Sequence, residues 1–246
     1  MSIPGCAAWL ESPLGRYLIE WELALVDARV ADVFGFHAIQ IGLPERDYLS
    51  HNRIGYKLRC ARSGDVKLIS ETFELPIASQ SVDLVVLPHV LEFSDQPHQV
   101  LREVERILVP EGQVVITGFN PFSLWGIRRL MASSTGDFPW QGQFLTVKRL
   151  KDWLALLSFE SQPASFGAYV PPLTVARWIE QWGFMDNAGP RWWPFAGGAY
   201  VIQATKRVRG MRLVAPAWRD RLARAKAFAP VAQRDPVHTE RTGTND

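Results

Sequence analysis

Apolar residues recur at spacings of three and four through Leu14, Leu18, Trp21, Leu25 and Ala28, the repeat of one helical face, so an amphipathic helix is predicted over 13–32. Ser12-Pro13 supplies its N-cap and a favoured first residue, and Gly35 marks its end. Ala38–Ile41 reads as a short apolar strand that runs into Gly42. The polar segment 44–52 has room for one short helix. Tyr56–Cys60 and Val66–Ile69 read as strands on either side of a Ser63-Gly64-Asp65 turn. Val82–Leu87 is a continuous apolar run, as in strands covered on both faces of a parallel sheet. A helix beginning at Ser94-Asp95 carries the stripe Val100, Leu101, Val104, Ile107 and Leu108. Val109-Pro110-Glu111-Gly112 stops it, and Gln113–Thr117 is the next strand. Phe119–Met131 is a loop and helix. Thr146 caps a helix with Leu150, Trp153, Leu154 and Leu157. Phe159–Phe166 and Ala199–Thr205 are late strands, with an aromatic insert holding Trp178, Trp182, Trp192 and Trp193 between them.

Strand, helix, strand at this spacing predicts an α/β fold, a doubly wound and mostly parallel sheet. One place strains the pattern. Three residues between the second and third strands are too few for a parallel crossover of about a dozen. A hairpin, or a third segment outside the sheet, is therefore expected, with a shortened second and third strand region.

The chain has 246 residues, 47% hydrophobic and 21% charged. That suffices for one sizeable core and falls short of two ordinary domains. The net charge of +2 is unevenly spread. Thr205–Asp246 holds ten basic and four acidic residues, and the remainder holds seventeen basic and twenty-one acidic. The expected organisation is a domain over 1–212 and a basic, largely disordered tail over 213–246. No apolar run reaches membrane-span length, and no basic segment leads into an apolar one as in a secretory signal. Cys6 and Cys60 are too few for a disulfide framework or a four-cysteine zinc site, so no metal and a reducing cytoplasm are expected.

The block Glu71–Asn120 resembles the class I S-adenosylmethionine-dependent methyltransferases of the small bacterial "type 11" kind. Glu71-Thr72-Phe73-Glu74-Leu75-Pro76-Ile77 is similar to the family's acid-Ala-x-x-Leu-Pro-Phe segment. Ser81–Val86, His89-Val90-Leu91-Glu92 and Leu108–Gly112 follow in the family's order and spacing. The likeness covers roughly residues 36 to 206. It implies a seven-stranded Rossmann-like sheet with S-adenosyl-L-methionine beyond the carboxyl ends of the first strands, which is also where open α/β sheets bind ligands. Gly42, Glu71 and Leu87 fall there. Glu71 corresponds to the acid that meets the adenine amino group, and Thr72 supplies a backbone donor beside it.

Two departures stand out. The family's acid-x-Gly-x-Gly-x-Gly loop is here Gln40-Ile41-Gly42-Leu43-Pro44-Glu45-Arg46, in which only Gly42 survives. Pro44 has no N–H to offer. Arg46 is either a replacement partner for the cofactor's carboxylate or an exposed arginine of a decayed loop. The second strand ends near Arg62 where the family has a ribose-binding acid. His89 is the candidate catalytic residue, able to accept a proton or orient a substrate, against a purely structural histidine. Asn120 is the candidate substrate contact, against a turn residue before Pro121. The Trp-rich insert is a lid or pocket wall, against ordinary core.

The expected function is methyl transfer to a small-molecule acceptor. The alternative is a non-catalytic descendant of the fold that binds or regulates. RNA binding rests on the basic tail alone, and a nicotinamide cofactor is disfavoured because the dinucleotide glycine fingerprint is absent.

Overall fold

A computed structural model describes residues 5–131, 138–173 and 175–208. The chain divides after Val208, so the basic tail lies outside the described residues. In chain order the elements are α1 (Cys6–Leu10), α2 (Pro13–Val30), β1 (His37–Ile41), β2 (Tyr56–Ala61), β3 (Leu68–Ile69) and β4 (Val82–Pro88). A 3-10 turn (Leu91–Phe93), α3 (Pro97–Ile107), β5 (Leu108–Phe119), α4 (Leu124–Met131) and α5 (Val147–Leu156) follow. The chain then forms β6 (Phe159–Ser161), β7 (Ser165–Gly167), α6 (Ala176–Trp182), α7 (Phe184–Trp192) and β8 (Ala199–Lys206). The strands make one sheet in the order β3-β2-β1-β4-β5-β8-β6, with β7 also against β8. β1 through β5 are parallel. β8 is antiparallel to β5, β6 and β7.

Alternate residues of the central strands feed two cores, as the period of two requires. Ala38, Leu84, Val86 and Val115 face the layer of α1 and α2. Ile39, Val85, Leu87 and Val114 face the layer of α3 and α5. The expected helix near the N-terminus forms, with Ser12 Oγ accepting from the Gly15 N–H at 3.1 Å. Its buried line is Leu14, Leu18, Glu22, Val26 and Val30, whereas Ala28 is exposed. The inward face is thus rotated from the expected one, and it carries a glutamate at its middle.

Three expectations near β2 need correction. Segment 44–52 forms turns rather than a helix, although Tyr48 and Leu49 are buried in the core. β2 and β3 are parallel, Cys60 opposite Leu68 and Ala61 opposite Ile69, and do not form a hairpin. The crossover rule applies to strands that must return along their full length. A two-residue strand beside the last two residues of β2 needs the chain to double back by only about 7 Å at 3.3 Å per residue. The late strand expected over 159–166 is split into β6 and β7, both paired with β8. No helix among the described residues is long and apolar enough to cross a membrane.

Candidate active site

The carboxyl ends of β1, β2 and β4 meet beneath α1. Between them lies a cleft of about 70 Å³. Its floor is the β1 loop from Gly42 to Glu45 and the residues Pro88, His89 and Val90 that follow β4. Ala61, Arg62 and Thr72 form one wall, and Phe93 and Cys6 the other. Gly42 has φ +85, and a Cβ there would meet Val90 Cγ2 at 2.5 Å, so only glycine lets the two loops pack this closely.

Beneath the cleft is a buried charged cluster. His89 is 1% exposed and Glu22, from the middle of α2, 0%. His89 Nε2 lies 2.7 Å from Glu22 Oε1, and Nδ1 lies 3.4 Å from Glu92 Oε2. Tyr48 Oη donates to the other Glu22 oxygen at 2.9 Å, and the Phe119 N–H donates to Glu92 Oε1. The His89 ring stacks on Phe119 with centroids 4.2 Å apart. Burial alone would favour neutral imidazole, but Glu22 and then Glu92 outweigh it and raise the His89 pKa to about 10. Burial also pushes the Tyr48 and Tyr200 hydroxyls well up, with Glu22 and Glu92 adding to it. His89 has φ +50, a left-handed backbone that a side chain rarely adopts. Such strain persists only where surrounding contacts over-determine it, and the two carboxylates do so here.

The other residues singled out in the sequence are placed as follows. Gln40 is fully buried, and its amide is spent on the β1 loop: Nε2 donates to the carbonyls of Gly42, Leu43 and Arg46, and Oε1 accepts from the Tyr48 N–H. The Gly42 N–H donates to the Cys60 carbonyl at 2.8 Å. Arg46 pairs with Glu11 at 2.6 Å, on the link between α1 and α2. Glu71 sits at the rim, ion-paired with Arg62. Thr72 is buried and lines the cleft, whereas Leu87 is sealed in the core and its neighbour Pro88 lines the cleft instead. Asn120 is buried next to Phe119 and is not among the residues lining the cleft. Its amide donates to the Phe195 and Gly197 carbonyls, and Oδ1 accepts from the Phe122 N–H.

Sequence reasoning missed Glu22, Cys6 and Tyr48. Glu22 left a readable signal, an acid at the centre of an i, i+4 apolar line. Cys6 left none, because its place over the cleft depends on how α1 folds back on α2.

A family profile described as a methyltransferase domain matches residues 49–116. The protein YafS of Escherichia coli K12, itself uncharacterised, is 31% identical over 206 residues, which is 83% of this chain and 81% of YafS. The chain belongs to the class I S-adenosylmethionine-dependent methyltransferases. Solved structures share the fold of this methyltransferase at low identity. One from Archaeoglobus fulgidus has a TM-score of 0.52 at 18% identity, over 78% of this chain and 99% of that one. A geranyl diphosphate C-methyltransferase from Streptomyces coelicolor has a TM-score of 0.55 at 12%, over 78% and 80%. The family's cofactor is S-adenosyl-L-methionine, and the cleft suits it in place and in donor set. Thr72, Arg62 and Glu71 offer polar groups at one end, and Val90 and Phe93 offer apolar surface between. Its volume is well below the roughly 300–1,000 Å³ of small-molecule sites, and Cys6 of α1 is part of its lining.

Proposed function

We propose that this methyltransferase holds S-adenosylmethionine in the β1–β2–β4 cleft and delivers its methyl group to a small-molecule acceptor. The observation that carries the reading is the position of the cleft at the switch point of a methyltransferase-ordered sheet, where β1 has β2 on one side and β4 on the other. The cofactor supplies an activated methyl group on a sulfonium. The chain's own task is to orient the acceptor and exclude water. Glu71 and Thr72 hold the adenine end, Gly42 and the Pro88 backbone bound the middle, and Arg46 takes the carboxylate by exchanging it for Glu11. His89 is a positioning residue and not a base, since as imidazolium it has no lone pair to accept a proton. Gln40 and Asn120 act through the loops they tie.

A second reading, a non-catalytic binding protein, is favoured by specific features of the β1 loop. The Gly42 N–H, the Gln40 amide and the Arg46 guanidinium are all engaged within the protein. Titration calorimetry with S-adenosylmethionine and S-adenosylhomocysteine separates the two. Micromolar binding of both supports methyl transfer, and no heat or thermal shift at millimolar ligand leaves the non-catalytic reading.

A further inference from the structure

Helix α4 is apolar on two faces. Inward it buries Trp125. Outward it presents Leu124, Ile127, Leu130 and Met131 at helical spacing, the last two 79% and 82% exposed. A short helix with apolar residues on two faces has only one of them covered by its own core. The outward face continues onto neighbouring elements. Leu124 and Ile127 share one depression with Phe122, Met185 and Trp193, and an adjacent one with Trp140 and Leu173. Next to these, Trp192 is 69% and Phe195 74% exposed. Patches of this kind mark interaction sites, unlike scattered surface leucines.

The charge around the patch selects the occupant. Arg128 and Arg129 lie on α4 itself; they donate to the Pro172 and Gly142 carbonyls, which leaves their charge uncompensated, and neither has a carboxylate partner among the described residues. Asp186 is consumed by the Tyr17 hydroxyl and the Tyr169 N–H. Arg128 lies 5.0 Å from the centre of the Trp140 ring, at the edge of the aliphatic band. Aliphatic residues at the centre, tryptophans and arginines around them, and few acids is the composition of a helix that lies in a lipid headgroup region. A second copy of the chain would set arginines against arginines, which is costly.

We propose that the α4 face, with the Trp192–Phe195 corner, docks on an anionic lipid surface. The inference is independent of methyl transfer. The test is co-sedimentation of the full chain with vesicles of phosphatidylcholine alone and of phosphatidylcholine mixed with phosphatidylglycerol. Wild type is expected to pellet with the mixed vesicles, with a blue shift of tryptophan emission. The Ile127→Ser/Leu130→Ser variant, whose mutated side chains are exposed and whose melting temperature should not move, is expected to bind at least about tenfold more weakly. Arg128→Glu/Arg129→Glu should lose the preference for phosphatidylglycerol. Equal binding by the wild type and the serine variant would assign the affinity to the basic tail and overturn the proposal. No binding by wild type would overturn it as well. So would a wild-type dimer in solution that the serine variant abolishes, which would make the occupant a second copy.

Discussion

A single glutamate sets the character of the site. Glu22 stands in a line of leucines and valines on α2 and meets His89 after β4, which Glu92 holds from the other side. Because the folded His89 is raised to about 10 from an ordinary 6.5, its contribution is fully present below pH 6.5 and is lost as pH rises toward 10. Denaturant unfolding of wild type should therefore show stability falling by a few kcal/mol between pH 7 and pH 10. A His89→Gln variant, less stable at pH 7, should show a flatter profile over that range. Glu22→Gln should lose about 3–5 kcal/mol, the usual consequence of leaving one member of a buried pair alone. Glu71 is the contrast. Its pair with Arg62 is half exposed, and such pairs contribute about 0–1 kcal/mol. Glu71→Ala should leave the melting temperature unchanged. If Glu71 holds the adenine, calorimetry should show cofactor affinity lowered roughly ten- to a hundredfold, the value of a hydrogen bond to a charged group.

Among the elements, legibility followed local signals. α2 was readable because Ser12-Pro13 and an i, i+4 repeat both lie within the segment itself. β4, α3 and β5 were readable because strand and helix periods alternate there without interruption. What could not be read depended on partners distant in sequence. The face α2 buries is fixed by His89 and Tyr48, and Trp21, expected inward, packs at the margin of the core against Gly167, where a Cβ would come within 2.0 Å of its ring. The direction of β3 is fixed by a two-residue register beside Cys60 that no turn motif announces. In the candidate site Gly42, Thr72 and His89 were legible and do meet at one cleft. The engagement of Arg46 by Glu11 was not, since it requires the fold of the α1–α2 corner. That corner yields a prediction whose sign opposes helix propensity. Ala is the better helix former, yet at Gly15 a Cβ would lie 2.2 Å from the Trp9 carbonyl oxygen, a backbone atom that cannot swing aside. Gly15→Ala should therefore destabilise by about 1–3 kcal/mol, the usual range for overpacking. Ser12→Ala, which only removes the cap, should cost about 1 kcal/mol. A larger melting-temperature drop for Ser12→Ala than for Gly15→Ala would contradict this reading of the corner.

At the scale of the whole molecule, the sheet supplies the cleft and the N-terminal layer contributes Cys6 to its lining. The layer is anchored through α2, whose Glu22 reaches the buried cluster, and α1 packs into the same core through Cys6, Leu10 and Trp9, the last against Trp125 and Phe138. Cys6 reports the position of α1. Its thiol is buried in the cleft wall and pushed up to about 12 by burial and by Glu45, so it should resist alkylation. A ligand the size of an adenosyl group needs more than about 70 Å³, so part of the lining must give way for it, and Cys6 of α1 belongs to that lining. Once displaced into water, the thiol should return toward its ordinary value near 8.5 and react. Saturating S-adenosylhomocysteine should therefore accelerate iodoacetamide labelling of Cys6, read by mass spectrometry of the N-terminal peptide. Cys60, buried in the other core at about 11, should stay unlabelled and serves as the control for global unfolding. Ligand binding, seen by calorimetry, with Cys6 labelling unchanged or slowed would mean that the cofactor enters without moving α1, and the closed-cleft account would fall.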